Sequence, residues 1–247
     1  MEINMARKIT VLGIPFYNTK LQEMVSELTD RIDSQQKTFV VTANPEIVMK
    51  AYDDPSFKAH ITQADYITAD GIGVVKATEH LKEPLPERVT GFDMFQNLLE
   101  RGNAKGYSLY LVGGTEEVIN KTHKVVRSSY PNINLKGSHS GFFETTTERC
   151  DVQNAIIDSK ADMVFVAMGS PYQETFITEI LPQIQKGLFM GIGGSFDVLS
   201  GTVKRAPLFW QKLGLEWFYR LASQPTRLWR MKDLVRFYLA ARKEAKR

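Results

Sequence analysis

The chain has 247 residues, 43% of them hydrophobic and 24% charged, with a formal net charge of +3. This length suits one large domain or a domain with an appendage, and the composition is ordinary for a folded protein. The one cysteine, Cys150, cannot form an internal disulfide, so we expect a reducing compartment. The sequence also holds no apolar run of about 18 residues that would span a membrane.

Charge is distributed unevenly along the chain. From Lys204 to the end there are 12 Lys and Arg against 3 Asp and Glu, whereas the preceding residues hold 19 basic and 25 acidic side chains. The basic segment also contains all three tryptophans: Trp210, Trp217 and Trp229. This asymmetry indicates an anionic partner, either a nucleic acid or a lipid surface. We therefore divide the chain into a body, residues 1–203, and a basic, aromatic-rich helical appendage, residues 204–247.

The hydrophobic pattern of the body alternates between strand and helix periods. In the first half it predicts a strand or hairpin arm over 8–17, a helix over 21–32, a strand over 38–43, a helix over 45–63 broken near Pro55, a strand over 66–69 and a helix over about 92–101. In the second half it predicts strands near 107–112, 133–136, 162–168 and 188–192, separated by helices. This alternation predicts an α/β fold with a Rossmann-like, mainly parallel sheet flanked by helices.

The appendage has a different pattern. Phe209, Leu213, Trp217 and Leu221 recur at helical spacing up to Pro225, and a final helix is predicted with Leu228, Met231, Leu234, Val235 and Tyr238 on one side. Aromatic and aliphatic stripes flanked by Lys and Arg are typical of helices that lie in a membrane interface. The alternatives are a helix packed on its own body and an RNA-binding tail. The stripes are too regular for a segment that only follows phosphates, so membrane contact is favoured over RNA.

Asp70 is the first candidate catalytic residue. The predicted strand over 66–69 ends on it, and Gly71 and Gly73 follow. Ligands of open α/β sheets bind outside the carboxyl ends of the strands, where a carboxylate can act as a general base. Asp70 could equally cap the helix that follows, and this stretch does not decide between the two interpretations.

Three further polar residues of the first half are candidates for the same site. Thr42 and Asn44 stand at the end of one strand, and Arg88 lies in a charged loop. A base, an amide and a cation together would suit group transfer. The alternative for Thr42 and Asn44 is helix capping, and for Arg88 it is a solvated loop charge.

Glycine turns end three strands of the second half: Gly113-Gly114, Gly169 and Gly193-Gly194. Glycine allows a diphosphate to approach the backbone, and helix N-termini favour anions, so these turns indicate a nucleotide-type ligand. None fits the G-x-G-x-x-G or P-loop pattern. The sequence also lacks the Asp-x-Asp motif with which many sugar-nucleotide enzymes bind a metal, so we expect no metal or cofactor and a leaving group stabilised by arginines and backbone N–H groups.

Eight segments, taken together, resemble the WecG/TagA/CpsF glycosyltransferases. They are Thr42–Glu46, Ala69–Gly73, Glu87–Gly91, Leu111–Gly114, Met168–Glu174, Gly191–Asp197, Gly201–Pro207 and Gly214–Arg220. The resemblance runs through nearly the whole chain. It implies inverting transfer of N-acetylmannosamine from a UDP-sugar donor to N-acetylglucosaminyl-diphospho-undecaprenol, an undecaprenyl-diphosphate-linked acceptor, in the synthesis of wall teichoic acid. Relatives that use N-acetylmannosaminuronic acid or glucose share the scaffold, and a non-catalytic nucleotide-binding module is the remaining alternative.

The resemblance also implies roles for individual residues. Asp70 would be the general base, with Thr42, Asn44, Arg88 and Gln173 in the same pocket. The UDP-sugar would contact Gly113, Gly114, Phe142, Phe143, Gly169, Gln173, Gly193, Gly194 and Asp197, and Arg220, Arg227 and Arg230 of the appendage would close over the site. The family's Gly-Tyr-Phe near the uridine reads Gly141-Phe142-Phe143 here, which keeps a ring for stacking but removes a hydroxyl.

These roles imply an arrangement of the chain and its partners. The acceptor and catalytic part would span about 1–105 and the UDP-binding part about 106–203. We expect a cytoplasmic protein bound peripherally to the inner face of the cell membrane, with no nucleic acid partner. The apolar faces of the first helices, and the resemblance, also predict a homodimer.

Overall fold

A computed structural model describes residues 8–79, 84–207, 209–210, 216, 218–219 and 228–244, with side chains of the last helix from residue 232 onward. The strands of this described part are β1 (Lys8–Val11), β2 (Ile14–Tyr17), β3 (Lys37–Ala43), β4 (Tyr66–Ala69), β5 (Ser108–Gly113), β6 (Asn134–His139), β7 (Met163–Ala167) and β8 (Gly187–Gly191). Its helices are α1 (Leu21–Asp33), α2 (Pro45–Asp53), α3 (Pro55–Ile61), α4 (Ile72–Ala77), α5 (Gly91–Lys105), α6 (Glu116–Ser129), α7 (Thr146–Ser159), α8 (Tyr172–Ile180), α9 (Ser195–Leu199) and α10 (Leu228–Glu244), with a 3₁₀ turn at Leu181–Gln183.

A six-stranded sheet organises these elements, in the order β4-β3-β8-β7-β5-β6. Every pair of neighbouring strands in it is parallel, whereas β1 and β2 form a separate antiparallel hairpin. The α/β fold predicted from the sequence is therefore confirmed. Because the strands are parallel, their carboxyl ends lie along one edge, and every candidate residue of the body lies at or just beyond that edge.

The strands inside the sheet are largely apolar because both faces of the sheet are covered, whereas the edge strand β6 is polar. On one face Phe39 and Val41 of β3 pack in a core with α2, α7 and α8. On the other face Leu109 and Leu111 of β5 pack in a core with α1, α5 and α6. Alternate side chains of each strand thus enter different cores, which explains the unbroken hydrophobic runs in the sequence.

The direction of the connections reverses between β5 and β7, which are neighbours in the sheet. From β5 the chain leads outward through α6 to β6, and from β7 it leads the opposite way through α8 to β8. Open α/β sheets bind ligands in the crevice at such a reversal. Gly113 and Gly169, which belong to two of the predicted glycine turns, lie on the two sides of it.

Helix α5 is longer than predicted. It continues past Arg101 to Lys105 and ends at Gly106, whose φ of 71° is the left-handed conformation typical of a helix C-terminus. Gly102, inside the helix, lies where a Cβ would stand 2.6 Å from the methyl carbon of Met163. Gly102 therefore allows α5 to pack closely against β7, and the helix continues past it.

The final helix, α10, packs on α2 and α4 of the body. Phe237 and Ala241 are buried in the core, and Arg236 pairs with both carboxylate oxygens of Asp53 at 2.9 Å. The prediction that Val235 and Tyr238 share one side with Leu234 was wrong, because the inward positions follow 234, 237 and 241. Val235 and Tyr238 are 56% and 61% exposed. For α10 the alternative of a helix packed on its own body is thus confirmed, with a second apolar face left outward.

Two other sequence predictions concern surfaces. The apolar side of α1, with Met24, Val25 and Leu28, is fully buried in the core shared with α5. This face is therefore not available to form the predicted homodimer. Among the described residues, every helix is too short or too polar to cross a bilayer.

Candidate active site

Asp70 follows β4 at the sheet edge, and its backbone is held by β3. The Asp70 N–H donates to the carbonyl oxygen of Ala43 at 3.0 Å, and the carboxylate is half-buried. Gly71 occupies the N-cap position of α4, so the alternative interpretation of Asp70 as that cap was wrong. A Cβ on Gly71 would stand 3.1 Å from Pro45 and 3.6 Å from the Cβ of Asn44. The turn after Asp70 therefore packs directly on the start of α2.

Asn44 and Thr42 extend this group, and they differ in what they do. Asn44 is the N-cap of α2, where its Oδ1 accepts a hydrogen bond from the Ile47 N–H at 3.0 Å, so the capping interpretation is confirmed for Asn44. Thr42 lies inside β3, and its buried hydroxyl donates to the carbonyl oxygen of Gly191 at 3.3 Å. The capping interpretation was therefore wrong for Thr42, which instead links β3 to the end of β8.

Arg88 is held beside Asp70 through its neighbour Val89. The Val89 N–H donates to the Ala69 carbonyl oxygen at 3.0 Å, and the hydroxyl of Thr68 donates to the Val89 carbonyl oxygen at 3.3 Å. The Arg88 Nη1 donates to Glu216 Oε2 at 2.9 Å, and the two side chains are only 19% and 8% exposed. The interpretation of Arg88 as a solvated loop charge was therefore wrong. We call Thr42, Asn44, Asp70 and Arg88 the side-chain corner.

Gln173 lies at the start of α8 and connects two strand ends. Its Oε1 accepts a hydrogen bond from the Gly193 N–H at 2.9 Å, and its Nε2 donates to Glu174 Oε1 at 2.8 Å. The side chain is buried and occupies the space beside Gly191, where a Cβ would meet its Nε2 at 2.6 Å. Gln173 thus fixes the backbone of the turn after β8.

Glu174 is a buried carboxyl beneath this turn. It is 1% exposed, and its Oε2 has no hydrogen-bond partner within the part of the chain that the structure describes. Burial raises the pKa of this carboxyl, and the Gln173 amide and the Lys50 charge offset that effect only in part. No spacing pattern predicted this buried position, because an acid in the first turn of a helix is ordinarily solvated.

The glycine turns, defined as Gly113, Gly114, Gly169, Gly193 and Gly194, fall into two kinds. A Cβ on Gly113 would stand 2.3 Å from the Ala167 carbonyl oxygen, and one on Gly114 would stand 2.8 Å from Val118. Gly169 and Gly193 have φ values of 73° and 53°, and a Cβ on either would meet nothing within 4 Å. Close packing of β5 on β7 accounts for the first pair, whereas the second pair presents backbone to open space.

The other residues predicted to contact the UDP-sugar lie farther along the same edge of the sheet. Phe142 is 70% exposed and lines a cavity of about 420 Å³ together with Thr115, Glu116, His139, Ser140, Glu144 and Glu148. Phe143 stacks on Phe176, with ring centroids 5.8 Å apart, so it is already occupied within the protein. Phe142 is therefore the ring of this pair that faces a cavity.

Asp197 lies in the first turn of α9, with its carboxylate beside Gly194. Arg220 and Arg227 lie outside the described residues, as does the side chain of Arg230. Within the described ranges, no group of three or more His, Cys, Asp and Glu side chains is arranged to hold a metal ion. Sequence reasoning did not select Glu216, since only the cations and aromatic residues of the appendage were considered there.

A carboxylate, an arginine and an amide thus stand at the β3–β4 end of a doubly wound sheet, next to backbone turns at the ends of β5, β7 and β8. This arrangement is that of an α/β enzyme of group transfer with a nucleotide-type ligand. The glycosyl transferase WecG/TagA/CpsF family matches residues 9–247, and the chain belongs to this family. The protein is therefore a glycosyltransferase.

Individual relatives cover almost the whole chain. An N-acetylglucosaminyldiphosphoundecaprenol N-acetyl-beta-D-mannosaminyltransferase of Bacillus spizizenii is 38% identical over 93% of this chain and 89% of its own length. The Bacillus subtilis protein of the same name is 37% identical over 96% of this chain and 92% of its own, and that of Staphylococcus aureus is 37% identical over 93% and 90%.

Proposed function

We propose that this protein transfers N-acetylmannosamine from UDP-N-acetylmannosamine to N-acetylglucosaminyl-diphospho-undecaprenol, as a step of wall teichoic acid synthesis. The acceptor and the transferred sugar are those in the names of its relatives. The observation that carries the proposal is the side-chain corner, where Asp70 is held next to Arg88 by the Ala69–Val89 hydrogen bond. We assign the acceptor to residues 1–105 and the donor to residues 106–203, with the glycine turns, Phe142 and Asp197 around UDP.

Transfer proceeds by one displacement in this proposal. The acceptor hydroxyl oxygen attacks C1 of the N-acetylmannosamine as the bond from C1 to the UDP oxygen breaks, which inverts the anomeric carbon. The hydroxyl proton passes to the Asp70 carboxylate, and the bonding electrons leave with UDP. A positioned general base of this kind contributes about 10²- to 10⁴-fold in rate.

The departing UDP gains negative charge, which requires stabilisation. Arg88 supplies a fixed positive charge on one side, and the backbone N–H groups of Gly169 and Gly194, in the turns after β7 and β8, supply donors on the other. Gln173 holds the Gly193 turn in place through its 2.9 Å hydrogen bond. These groups require no metal, and the proposal includes none.

The direct test uses the full chain, UDP-N-acetylmannosamine and a shortened diphospholipid carrying N-acetylglucosamine. We expect mass spectrometry to show addition of one N-acetylhexosamine, with the same rate in EDTA. UDP-N-acetylmannosaminuronic acid and UDP-glucose serve as competing donors in parallel reactions. Faster transfer from either would reassign the donor, UDP-sugar binding without transfer would leave only a nucleotide-binding module, and loss of activity in EDTA would overturn the metal-free mechanism.

The acceptor lipid stays in a bilayer, so the proposal includes peripheral binding to the inner face of the cell membrane. The outward face of α10 supports it, because Val235, Tyr238 and Leu239 are exposed beside Lys232, Arg242 and Lys243. Such a face favours an anionic bilayer, with each basic residue near the surface contributing about 1 kcal/mol.

Replacing both Tyr238 and Leu239 with Ser should release the protein from anionic vesicles, since these side chains supply apolar area on the outward face. Co-sedimentation with phosphatidylglycerol vesicles measures the effect, and Tyr52→Ser, on a neighbouring exposed aromatic, is the control. Unchanged sedimentation of the double variant would remove α10 from the membrane contact, and preferential binding of RNA at the same salt would favour the nucleic acid alternative. A homodimer also remains a prediction, which sedimentation velocity would test.

A further inference from the structure

Glu216 brings a carboxylate from the C-terminal part of the chain to the side-chain corner. Its Oε2 accepts a hydrogen bond from Arg88 Nη1 at 2.9 Å across 128 positions of sequence. The Glu216 side chain is 8% exposed, so this is a largely buried ion pair and not a surface contact. Breaking such a pair leaves an uncompensated buried charge, which is strongly unfavourable.

The pair also determines where the Arg88 guanidinium points. The backbone of Val89 is fixed by Ala69 and Thr68, but the long arginine side chain beyond it would otherwise sample many rotamers. Nη1 is the atom bound to Glu216, and the other guanidinium N–H groups make no hydrogen bond to the described residues. Glu216 therefore holds one part of the guanidinium and leaves the remaining donors for a ligand.

A second ion pair joins the C-terminal part of the chain to the body without touching the corner. Arg236 of α10 binds Asp53 of α2 through two hydrogen bonds of 2.9 Å, and both side chains are more than 40% exposed. If Glu216 served only to dock the C-terminal segment, the Arg236–Asp53 pair would be its equivalent. A substitution in the Arg236–Asp53 pair can therefore be compared with one in the Arg88–Glu216 pair to separate docking from positioning.

We propose that Glu216 is a positioning residue for transfer: it fixes the Arg88 guanidinium so that its free N–H donors meet a substrate phosphate. The proposal deepens the proposed function and rests on it. It also makes the site incomplete without the C-terminal segment, because the carboxylate that orients Arg88 comes from residue 216.

The test compares Glu216→Ala, Glu216→Gln, Arg88→Ala and the double variant Arg88→Ala/Glu216→Ala in the transfer assay. Misplacing a substrate-binding group by about 1 Å can reduce the rate about 100-fold, so we expect Glu216→Ala to lower kcat/KM by about 10- to 100-fold. Glu216→Gln keeps an oxygen acceptor for Nη1 and should recover part of the loss. In the Arg88→Ala background, removing Glu216 should change kcat/KM by less than about twofold, because the two residues act as one unit.

Two controls separate positioning from docking and from loss of fold. Asp53→Asn weakens the equivalent docking contact and should leave kcat/KM within about twofold of the wild type. Far-UV circular dichroism of Glu216→Ala should match that of the wild type, which shows that the variant is folded. The inference is overturned if Asp53→Asn loses as much activity as Glu216→Ala, or if the effects of Arg88→Ala and Glu216→Ala are additive. It is also overturned if Glu216→Ala is as active as or more active than the wild type. A wild-type chain that makes no disaccharide overturns the proposed function and this inference together, whereas an active wild type with an unaffected Glu216→Ala variant overturns this inference alone.

Discussion

The side-chain corner and the glycine turns lie on the same edge of one sheet, yet they expose different chemistry. The corner offers a carboxylate, an amide and a guanidinium, each on a backbone held by neighbouring strands. The turns after β7 and β8 offer main-chain groups at Gly169 and Gly193, where an added Cβ would meet nothing within 4 Å. Side chains can move protons and change charge, whereas main-chain N–H groups supply fixed dipoles. We therefore propose that the corner carries out the chemical step and that the turns bind the diphosphate.

This division predicts that substitutions in the two regions affect different measurements. A change in the corner should lower the rate of transfer with little effect on UDP affinity. A change in the open turns should weaken UDP affinity first. A single substitution that moved both equally would argue against two separate regions.

The largest effect is expected at Asp70. Asp70→Asn keeps the size of the side chain but removes its ability to accept a proton, so kcat should fall by about 10²- to 10⁴-fold. Isothermal calorimetry with UDP should give a dissociation constant close to that of the wild type. Near-native kcat in this variant would exclude Asp70 as the base, and loss of UDP binding would place it in the donor site instead.

The glycines themselves provide the next comparison, because Gly113 and Gly193 are glycine for different reasons. A Cβ at Gly113 would collide with the Ala167 carbonyl oxygen at 2.3 Å, and this backbone atom cannot move without separating β5 from β7. Gly113→Ala should therefore lower the free energy of unfolding by about 3 kcal/mol. Urea denaturation followed by circular dichroism measures this.

Gly193→Ala is the matched variant at an open turn. Its φ of 53° makes alanine unfavourable by about 1–2 kcal/mol, but no neighbouring atom obstructs the new methyl group. We expect a smaller loss of stability than for Gly113→Ala, together with weaker UDP binding. If Gly193→Ala bound UDP like the wild type, the turn after β8 would not contact the diphosphate.

Which of these features the sequence could predict depends on how local their cause is. The alternation of strands and helices follows from periodicity in short windows, and the parallel sheet brings Thr42, Asn44 and Asp70 to one edge. The capping of α2 by Asn44 is also local, since it needs only Ile47 three residues later. These features were predictable because neighbours in sequence determine them.

Other features depend on partners far away in the sequence. Arg88 looked like a loop charge because its partner lies 128 positions later. The close packing of Gly113 on the Ala167 carbonyl oxygen likewise had no local pattern to reveal it. On α10 the apolar residues occupy two faces, and only contact with α2 and α4 decides that Phe237 turns inward while Tyr238 turns outward. Tertiary contacts set these outcomes, so spacing alone left them open.

The smallest expected effect concerns Glu174, which lies below the turns and supports them through Gln173. Burial raises the pKa of this carboxyl above its ordinary value of 4.5, so the folded protein retains the proton where the unfolded chain has released it. The contribution to stability is therefore fully present below about pH 4.5 and is lost as the pH rises toward the folded-state pKa. Glu174→Gln stays neutral at every pH and keeps an oxygen that accepts from Gln173 Nε2.

The stability difference between Glu174→Gln and the wild type should consequently shift in favour of the variant as the pH is raised from 4.5 to 8. Urea unfolding of both proteins across this range measures the difference, and contributions from all other ionisable groups cancel in it. A difference for Glu174→Gln that stays constant with pH would mean that the buried carboxyl is charged in the folded protein, and the Gly193 turn would then rest on an ionised group.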